Sequence, residues 1–171
     1  MIDVVASACY VKGKGREWLA AESSDIEAIL EAAREAILPK AEARETRLLV
    51  ECPKGLAAKV DAGLLEQAII NLIDNAVKYS PPRKSVWIRA RSEQGLIVIE
   101  VQDQGIGIPA RDLPRVFERF YRVDKARSRE LGGTGLGLAI VRHIAIAHGG
   151  KASVESYEGE GSTFRITLPL E

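Results

Sequence analysis

Residues 71–80, NLIDNAVKYS, place amide and ammonium groups along one line of an otherwise apolar helix. Asn71 and Asn75 lie one turn apart, Lys78 returns close to the same line, and Gln67 extends it backwards. Asparagine is a mediocre helix former, so helix propensity does not account for this placement. An amide oxygen is a hard ligand suited to Mg²⁺, and an ammonium suits a phosphate, so the line is typical of a cation–phosphate site. The alternative is a solvated helix face with two incidental asparagines.

Two glycine-containing segments carry complementary chemistry. In DQGIGIP, residues 103–109, an aspartate at a strand end lies beside glycines that let a ligand approach the backbone. Such a carboxylate can accept a hydrogen bond from the exocyclic amine of a base, although an ordinary aspartate-containing turn has the same pattern. In GGTGLGLAIV, residues 132–141, four glycines precede and enter a helix start, where backbone amides favour anions. This second segment matches neither the P-loop nor the dinucleotide fingerprint, and its alternative is a flexible turn.

The segment between the glycine boxes, VFERFYRVDKARSRE, is aromatic and then basic. Phe117, Phe120 and Tyr121 are typical packing residues. Residues 119–135 show no periodicity, so we predict a mobile loop there. Its arginines and lysine form either a solvated face or groups that close over a triphosphate.

The rest of the sequence predicts the elements that position these groups. Ser24 and Glu27 form a capping box at the start of a helix that Pro39 is expected to kink or end. Asp61 caps the helix with the polar line, whose opposite stripe predicts a core face: Leu65, Ala68, Ile69, Leu72, Ile73 and Ala76.

Strands and two further helices complete the pattern. RLLVEC predicts a strand. A hairpin that turns at QG is predicted from SVWIRARSE and LIVIEVQD, and a second hairpin is predicted from KASVESYE and STFRITLPL. A short helix is expected with Pro109 in its first turn, and another helix ending at Gly149. Hairpins with helices between them predict an α+β fold, a two-layer α/β sandwich with helices on one face of a mixed sheet.

Composition limits the classes of function. The chain has 171 residues, of which 46% are hydrophobic and 28% charged, as in a folded globular domain. Its 24 basic and 24 acidic side chains give a net charge of zero, which argues against nucleic acid as a partner. Cys9 and Cys52 have no metal-ligand spacing, so a reducing compartment is expected. No apolar run reaches the length of a membrane span, and a cytoplasmic location is expected, compatible with a membrane-anchored parent.

The four segments in this order closely resemble the catalytic ATP-binding domain of sensor histidine kinases. That family shares the Bergerat fold with gyrase, heat-shock chaperone and mismatch-repair ATPases. NLIDNAVKYS, DQGIGIP, ERFYRVD and GGTGLGLAIV resemble its N, first glycine, F and second glycine boxes, and the resemblance covers roughly residues 25–170. It implies a mixed, mostly antiparallel sheet and a flexible ATP lid at about 119–135.

The resemblance also implies roles for individual residues. Asn75 is the implied Mg²⁺ ligand, and Asp103 the group that reads the adenine amine. Arg122 is implied to reach the γ-phosphate, and Thr163 to support the adenine pocket. The remaining implied residues line the phosphate and ribose side (Asn71, Lys78, Tyr79), shape the adenine pocket (Gly105, Gly107), or form the lid hinge and phosphate-facing turn (Gly133, Gly135, Leu136, Gly137).

Asn71 is the position that separates transfer from hydrolysis in this resemblance. Relatives that hydrolyse ATP carry a glutamate there as the base for water, whereas a neutral amide cannot take a proton. Asp74 and Glu66, on the same helix, are alternative bases. The resemblance therefore implies transfer of the γ-phosphoryl group to a histidine rather than efficient hydrolysis.

The acceptor histidine of the family lies in a separate dimerisation hairpin. His143 and His148, the two histidines of this chain, are expected to be structural. Residues 1–22 are interpreted as a linker that includes the end of a dimerisation helix, and residues 23–171 as the catalytic domain. The implied partners are that hairpin and a response regulator. The alternatives are a nucleotide-binding module without transfer and a serine kinase of the anti-sigma type.

Overall fold

The structure, a computed structural model, describes residues 19–124 and 133–170. Within these ranges it contains three α-helices and seven β-strands. The helices are Ile26–Ala43 (α1), Ala62–Tyr79 (α2) and Gly137–Ala147 (α3). The strands are Glu22–Asp25 (β1), Arg47–Glu51 (β2), Ala57–Val60 (β3), Ser85–Glu93 (β4), Leu96–Gln102 (β5), Lys151–Tyr157 (β6) and Gly161–Pro169 (β7). Most of the predicted N-terminal linker and the centre of the predicted lid, residues 125–132, lie outside the described residues.

The strands of the described chain form two sheets. Five of them are ordered β2-β4-β5-β7-β6, with β2 parallel to β4 and the other neighbours antiparallel. The short strands β1 and β3 pair antiparallel with each other. The predicted mixed, mostly antiparallel sheet is therefore confirmed.

The three helices pack on one face of the larger sheet, with α2 between α1 and α3. All six residues of the predicted apolar stripe on α2 are buried, between 0% and 3% exposed. They pack into one core with apolar residues of the sheet, among them Ile88, Ile99 and Ile166. Because this stripe is fixed against the core, the polar line on the opposite side of α2 is held at the surface of the helical layer.

The other face of the sheet carries ion pairs between neighbouring strands. They link Glu51 to Arg89, Arg91 to Glu100, and Arg165 to both Glu100 and Glu155. Burial alone would raise the pKa of Glu100, but hydrogen bonds from Arg91 and Arg165 outweigh it and lower that pKa. The helices therefore cover the apolar face, and the charged face remains outside.

The first helix differs from the prediction at both ends. Asp25, not Ser24, is the N-cap, and its carboxylate accepts from the Glu27 amide at 2.9 Å. Ser24 instead pairs with Ala58 in the small sheet, so strand pairing delays the start of the helix. Pro39 does not end the helix, which continues to Ala43. Buried residues on both sides of the proline, including Ala41, hold it in place despite the missing hydrogen bond.

The predicted short helix after Pro109 is also wrong. The structure forms only one 3₁₀ turn, Leu113–Arg115. Pro114 lies inside the segment and has no N–H, so an α-helix through it would lose a backbone hydrogen bond. The turn leaves Val116 buried against the rest of the domain.

The remaining turns and caps follow the sequence. Asp61 caps α2 by accepting from the Leu64 amide at 3.1 Å. Gln94 and Gly95, at the β4–β5 turn, both have positive φ, and Gly149 (φ 76°) follows α3. Among the described residues no helix combines the length and apolar character needed to cross a membrane.

Candidate active site

A cavity of about 280 Å³ opens beside the polar line of α2. Its walls come from α2, the loop after β5, residues 116–124, the start of α3 and strand β7. The structure thus brings all four sequence segments to one place.

Most of the predicted site residues line this cavity: Asn71, Asn75, Lys78, Tyr79, Asp103, Gly107, Arg122, Gly133, Gly135 and Gly137. Gly105, Leu136 and Thr163 do not line it. Leu136 is the N-cap of α3, and Gly105 follows Asp103 closely enough to donate to its side chain. Thr163 lies opposite Gln102 and Glu155 in the sheet, whereas its neighbours Ser162 and Phe164 are in the cavity wall.

The ammonium group of Lys78 is held by an acidic residue of the same helix. Asp74 Oδ2 accepts the Lys78 ammonium at 2.5 Å, and Oδ1 accepts Lys40 of α1 at 2.9 Å. Burial alone would raise the pKa of Asp74, but the hydrogen bonds from Lys78 and Lys40 lower it below its usual value. Asp74 is therefore an anion that orients two lysines rather than a base awaiting a proton.

Asn71 has an incompletely used side chain. Its Nδ2 is buried and has no hydrogen-bond partner among the described residues. A buried N–H without a partner carries a free-energy cost of about 1–3 kcal/mol, which a ligand acceptor would offset. Gly137, the first residue of α3, lies beside this side chain. A Cβ added to Gly137 would lie 3.8 Å from the Asn71 Cγ atom.

Asp103 directly follows β5 and also lines the cavity. It is 7% exposed, and its Oδ1 accepts from the Gly105 amide at 2.8 Å and from the Ser162 amide at 3.2 Å. Burial raises its pKa to about 6, although these two hydrogen bonds act in the opposite direction. Since both bonds end on Oδ1, Oδ2 is the oxygen that can accept from a ligand.

The loop after Asp103 is shaped by two glycines under steric constraint. A Cβ on Gly107, which has φ of 69°, would lie 2.0 Å from the Tyr157 carbonyl oxygen. A Cβ on Gly105 would lie 2.7 Å from the Tyr79 carbonyl oxygen. The Ile106 amide donates to that same Tyr79 carbonyl at 3.3 Å. The loop is therefore clamped between the end of α2 and the end of β6, where only glycine fits.

Two residues near the ends of the predicted lid segment, Phe120 and Gly135, meet beside the cavity. The Phe120 amide donates to the Gly135 carbonyl at 2.8 Å. Nearby, the Tyr121 hydroxyl donates to Asp112 at 2.5 Å, and the Arg115 guanidinium lies 4.3 Å from the centre of the Tyr121 ring. These contacts hold Phe120 and Tyr121 in place beside the cavity.

Several wall residues escaped the sequence analysis. Ser162 and Phe164 could have been found from the two-residue period of β7, because a core-facing Phe164 puts Ser162 on its own face and Thr163 on the other. The apolar wall residues Ile106, Ile108, Val116 and Leu138 are dispersed along the chain, so only tertiary structure collects them.

Comparisons with known proteins agree with this geometry. Residues 60–171 match the family described as histidine kinase-, DNA gyrase B-, and HSP90-like ATPase. The chain belongs to this family. The two glycine boxes and the N box all fall inside the matched region.

Curated relatives of this ATPase-family domain are sensor kinases. The sensor-like histidine kinase SenX3 of Mycolicibacterium smegmatis is 45% identical over 148 residues, which cover 86% of this chain and 38% of SenX3. The sensor histidine kinase WalK of Bacillus subtilis is 49% identical over 120 residues, 69% of this chain and 20% of WalK. The chain thus spans well under half the length of these relatives.

Solved structures show the same architecture. Full-length ShkA in complex with AMPPNP superimposes with a TM-score of 0.78 at 29% identity, covering 88% of this chain and 31% of ShkA. The mycobacterial sensor histidine kinase MprB gives a TM-score of 0.76 at 30% identity, covering 88% of this chain and 97% of that structure. The predicted Bergerat-type fold and the assignment to the catalytic domain of histidine kinases are confirmed. Membership of an ATPase family also agrees with ATP as the predicted nucleotide.

Proposed function

We propose that this chain binds ATP with Mg²⁺ and transfers the γ-phosphoryl group to a histidine on a separate phosphoacceptor hairpin. The observation that carries the proposal is the polarity of one cavity. The buried carboxylate of Asp103 is held by the Gly105 and Ser162 amides, whereas the Asn71 amide of α2 lies beside Gly137 at the start of α3. A nucleotide has the matching polarity, with an amine-bearing base at one end and phosphates at the other.

The base is placed at Asp103, whose Oδ2 accepts from the exocyclic amine. Apolar side chains beside it, including Ile108 and Phe164, provide the surface on which a purine packs. The phosphates then lie toward Lys78 and the glycine-rich start of α3, where the helix N-terminus favours anions. Arg122, in the cavity wall, is the cation assigned to the γ-phosphate.

The residues present fit a magnesium ion that is shared with the phosphates. Mg²⁺ keeps several waters and takes one or two protein ligands besides phosphate oxygens, so a cluster of three carboxylates or histidines is not required. Asn75 would hold it through its amide oxygen, while the orphan Nδ2 of Asn71 donates to a phosphate oxygen. When bound, the ion neutralises charge that develops on the phosphoryl oxygens.

The groups near the proposed Mg²⁺ and phosphate position favour transfer over hydrolysis. Asn71 cannot take a proton from water, and Asp74 is already paired with Lys40 and Lys78. Catalysis then rests on positioning and charge neutralisation, which is how phosphoryl transfer is generally accelerated.

The acceptor is placed outside this chain. His148 is buried, its Nε2 accepts from the Asp61 amide at 3.0 Å, and its Nδ1 bonds to the Ile144 carbonyl at 2.8 Å. Both ring nitrogens are thus occupied: Nε2 ties the end of α3 to the N-cap of α2, and Nδ1 bonds within the last turn of α3 itself. The hairpin of the parent kinase supplies the acceptor, and a response regulator in a two-component system receives the phosphoryl group next. Nucleic acid as a non-partner and the cytoplasmic location of the parent also stay predictions.

The first experiment is calorimetric titration with a non-hydrolysable ATP analogue, with and without Mg²⁺. Asp103→Asn is expected to remove most of the affinity while the fold persists, because the amide cannot replace the charged acceptor. Glu160→Gln, an exposed carboxylate-to-amide change in the β6–β7 turn, is the matched control. Unchanged binding by Asp103→Asn would contradict the placement of the base.

The second experiment supplies an acceptor hairpin from a sensor kinase relative together with radiolabelled ATP. Acid-labile label on the hairpin is expected, and Arg122→Ala should reduce its rate more than it reduces ATP affinity. Acid-stable label would indicate a serine kinase instead. ATP binding without any label would leave a nucleotide-binding module and refute the transfer step.

A further inference from the structure

The hydroxyl of Ser156 lies at the junction of three segments that build the base end of the cavity. Ser156 belongs to β6, is 8% exposed, and lies outside the four segments that resemble the kinase family. It accepts from the Ile108 amide of the glycine loop at 2.9 Å. It also lies 2.8 Å from the Gly161 carbonyl oxygen and 2.9 Å from the Ser162 hydroxyl oxygen, both in β7.

The protons at this junction can be assigned by counting. A serine hydroxyl has one proton to donate and two lone pairs to accept with. The Gly161 carbonyl can only accept, so the short contact with Ser156 requires the Ser156 proton. The contact between the two hydroxyls must then use the proton of Ser162. Ser156 is thereby saturated, with one bond donated and two accepted.

This assignment fixes what Ser162 presents to a ligand. Ser162 lines the cavity beside Asp103, and its backbone amide donates to Asp103 Oδ1. With its proton directed to Ser156, the Ser162 hydroxyl offers only lone pairs to the cavity. Asp103, when ionised, also offers only lone pairs. The floor of the base pocket therefore accepts hydrogen bonds and donates none from these two side chains.

We propose that Ser156 is a specificity-determining residue of the nucleotide site, because it holds the Ser162 proton away from the cavity. An accept-only floor suits a purine with an amine at position 6 and repels one with a carbonyl there. This inference rests on the proposed binding of ATP and deepens it. Ser156 acts through Ser162 and is a positioning residue, not one that touches the base.

The test compares the affinities of ATP and ITP, which differ at position 6 of the purine, by calorimetric titration of the whole chain. Ser156→Ala frees the Ser162 proton to turn toward the cavity. We expect the ratio of ATP to ITP affinity to fall about tenfold, with Ser156→Thr restoring it through the retained hydroxyl. Ser153→Ala is the matched control, since it makes the same change in the same strand but on the opposite face of the sheet.

Three results would overturn the inference. One is a Ser156→Ala ratio equal to that of Ser153→Ala. Another is equal weakening of both nucleotides, which would indicate a packing role alone. The third is an unchanged ratio of ATP to ITP affinity in Ser162→Ala, which would show that the Ser162 hydroxyl does not discriminate between the two nucleotides. Ser162→Ala keeps the other two bonds of Ser156, so it provides the test if Ser156→Ala does not fold.

A double variant adds an internal check. In the Ser162→Ala background, Ser156→Ala should change the ratio no further, because there is no proton left to redirect. Independent effects of the two substitutions would contradict the relay. If the unmodified chain binds no ATP, the proposed function itself fails. If it binds ATP and only the ratio fails to respond, the relay alone is wrong.

Discussion

At the scale of single residues, the site depends on side chains held in particular charge states by their neighbours. Asp103 is buried, which disfavours its ionised form. Asp74 is kept ionised by Lys78 and Lys40. The pKa values of two aspartates in one cavity are thus shifted in opposite directions. Asp103 is assigned to ligand recognition, and Asp74 orients two lysines.

The raised pKa of Asp103 predicts a pH dependence of ATP binding. The amine of the base needs the ionised carboxylate, so affinity should fall as pH drops through about 6. One pH unit below that value about a tenth of the carboxylate is ionised, which lowers affinity roughly tenfold. The measurement is titration between pH 5 and 8 on the unmodified chain and on Asp103→Asn. The same profile in both would mean that the ionisation belongs to the nucleotide.

Asp103 should also make the stability of the nucleotide-free chain depend on pH. This stability should fall as pH rises, whereas ATP affinity should increase. The pKa of this carboxyl is higher in the folded chain, about 6, than its ordinary value of 3.8. Its contribution to stability is therefore fully present below about pH 4 and is lost as pH rises through 6. The measurement is the free energy of unfolding in denaturant, for the unmodified chain and for Asp103→Asn, across this pH window. A difference between the two chains that does not change with pH would contradict the prediction.

Asn75 is expected to carry the effect of magnesium on binding. Asn75→Ala removes the proposed ligand oxygen, so the gain in ATP affinity on adding Mg²⁺ should shrink, by about tenfold for a loss of 1.4 kcal/mol. Gln67→Ala removes an amide from an exposed position on the same helix outside the cavity and is the control. An undiminished Mg²⁺ effect in Asn75→Ala would assign the ion to other ligands.

At the scale of elements, the site is formed where segments are forced into close contact. The glycine loop passes between the end of α2 and the end of β6, and the Gly159 amide donates to the Ile106 carbonyl at 2.7 Å. Ser156 ties the same loop to β6 and β7. The position of Asp103 thus depends on a hairpin more than fifty residues later in the chain.

Gly107→Ala tests this close contact. A Cβ there would meet the Tyr157 carbonyl oxygen at 2.0 Å, so the loop or the hairpin must shift, weakening ATP binding and costing of the order of 1–3 kcal/mol of stability. Gly159→Ala is the matched control because it also has positive φ (85°) but has open space around it. Thermal unfolding and ATP titration of both variants separate contact from backbone strain. Equal effects would show that contact with Tyr157 is unimportant.

At the scale of the whole molecule, the fold brings four separate segments together around one cavity. The apolar stripe of α2 is buried against the sheet, and its polar line faces the loop after β5 and the start of α3. The charged face of the sheet lies on the other side, away from the site. Nucleotide binding therefore draws on contacts that exist only in the folded chain.

ATP should accordingly stabilise the entire domain. A ligand present at a hundred times its Kd adds about 2.7 kcal/mol to the free energy of unfolding, which corresponds to a Tm increase of roughly 5–10 °C for a domain of this size. Thermal unfolding with ATP and Mg²⁺ measures it, and Asp103→Asn should show little increase. An equal increase in Asp103→Asn would indicate binding elsewhere on the chain.

The sequence by itself determined the elements and the chemistry of the motifs. Periodicity located α2 and its buried stripe, a turn signal located the β4–β5 hairpin, and the order of four motifs identified the family. These features are local, because spacing along the chain dictates which side chains share a face. Where tertiary contacts competed with local signals, prediction failed: Ser24 joined a strand, Pro39 stayed inside a helix, and the helix expected over residues 108–118 is only a 3₁₀ turn at Leu113–Arg115.

Only the tertiary structure decided how the base end of the cavity is assembled. It saturated the Ser156 hydroxyl with partners from two other segments and, at the phosphate end, paired Asp74 with Lys40 of another helix. Each of these depends on the register between β6 and β7 or on the packing of α1 against α2. Such contacts join residues far apart in sequence, and their geometry is fixed by packing that no local pattern records.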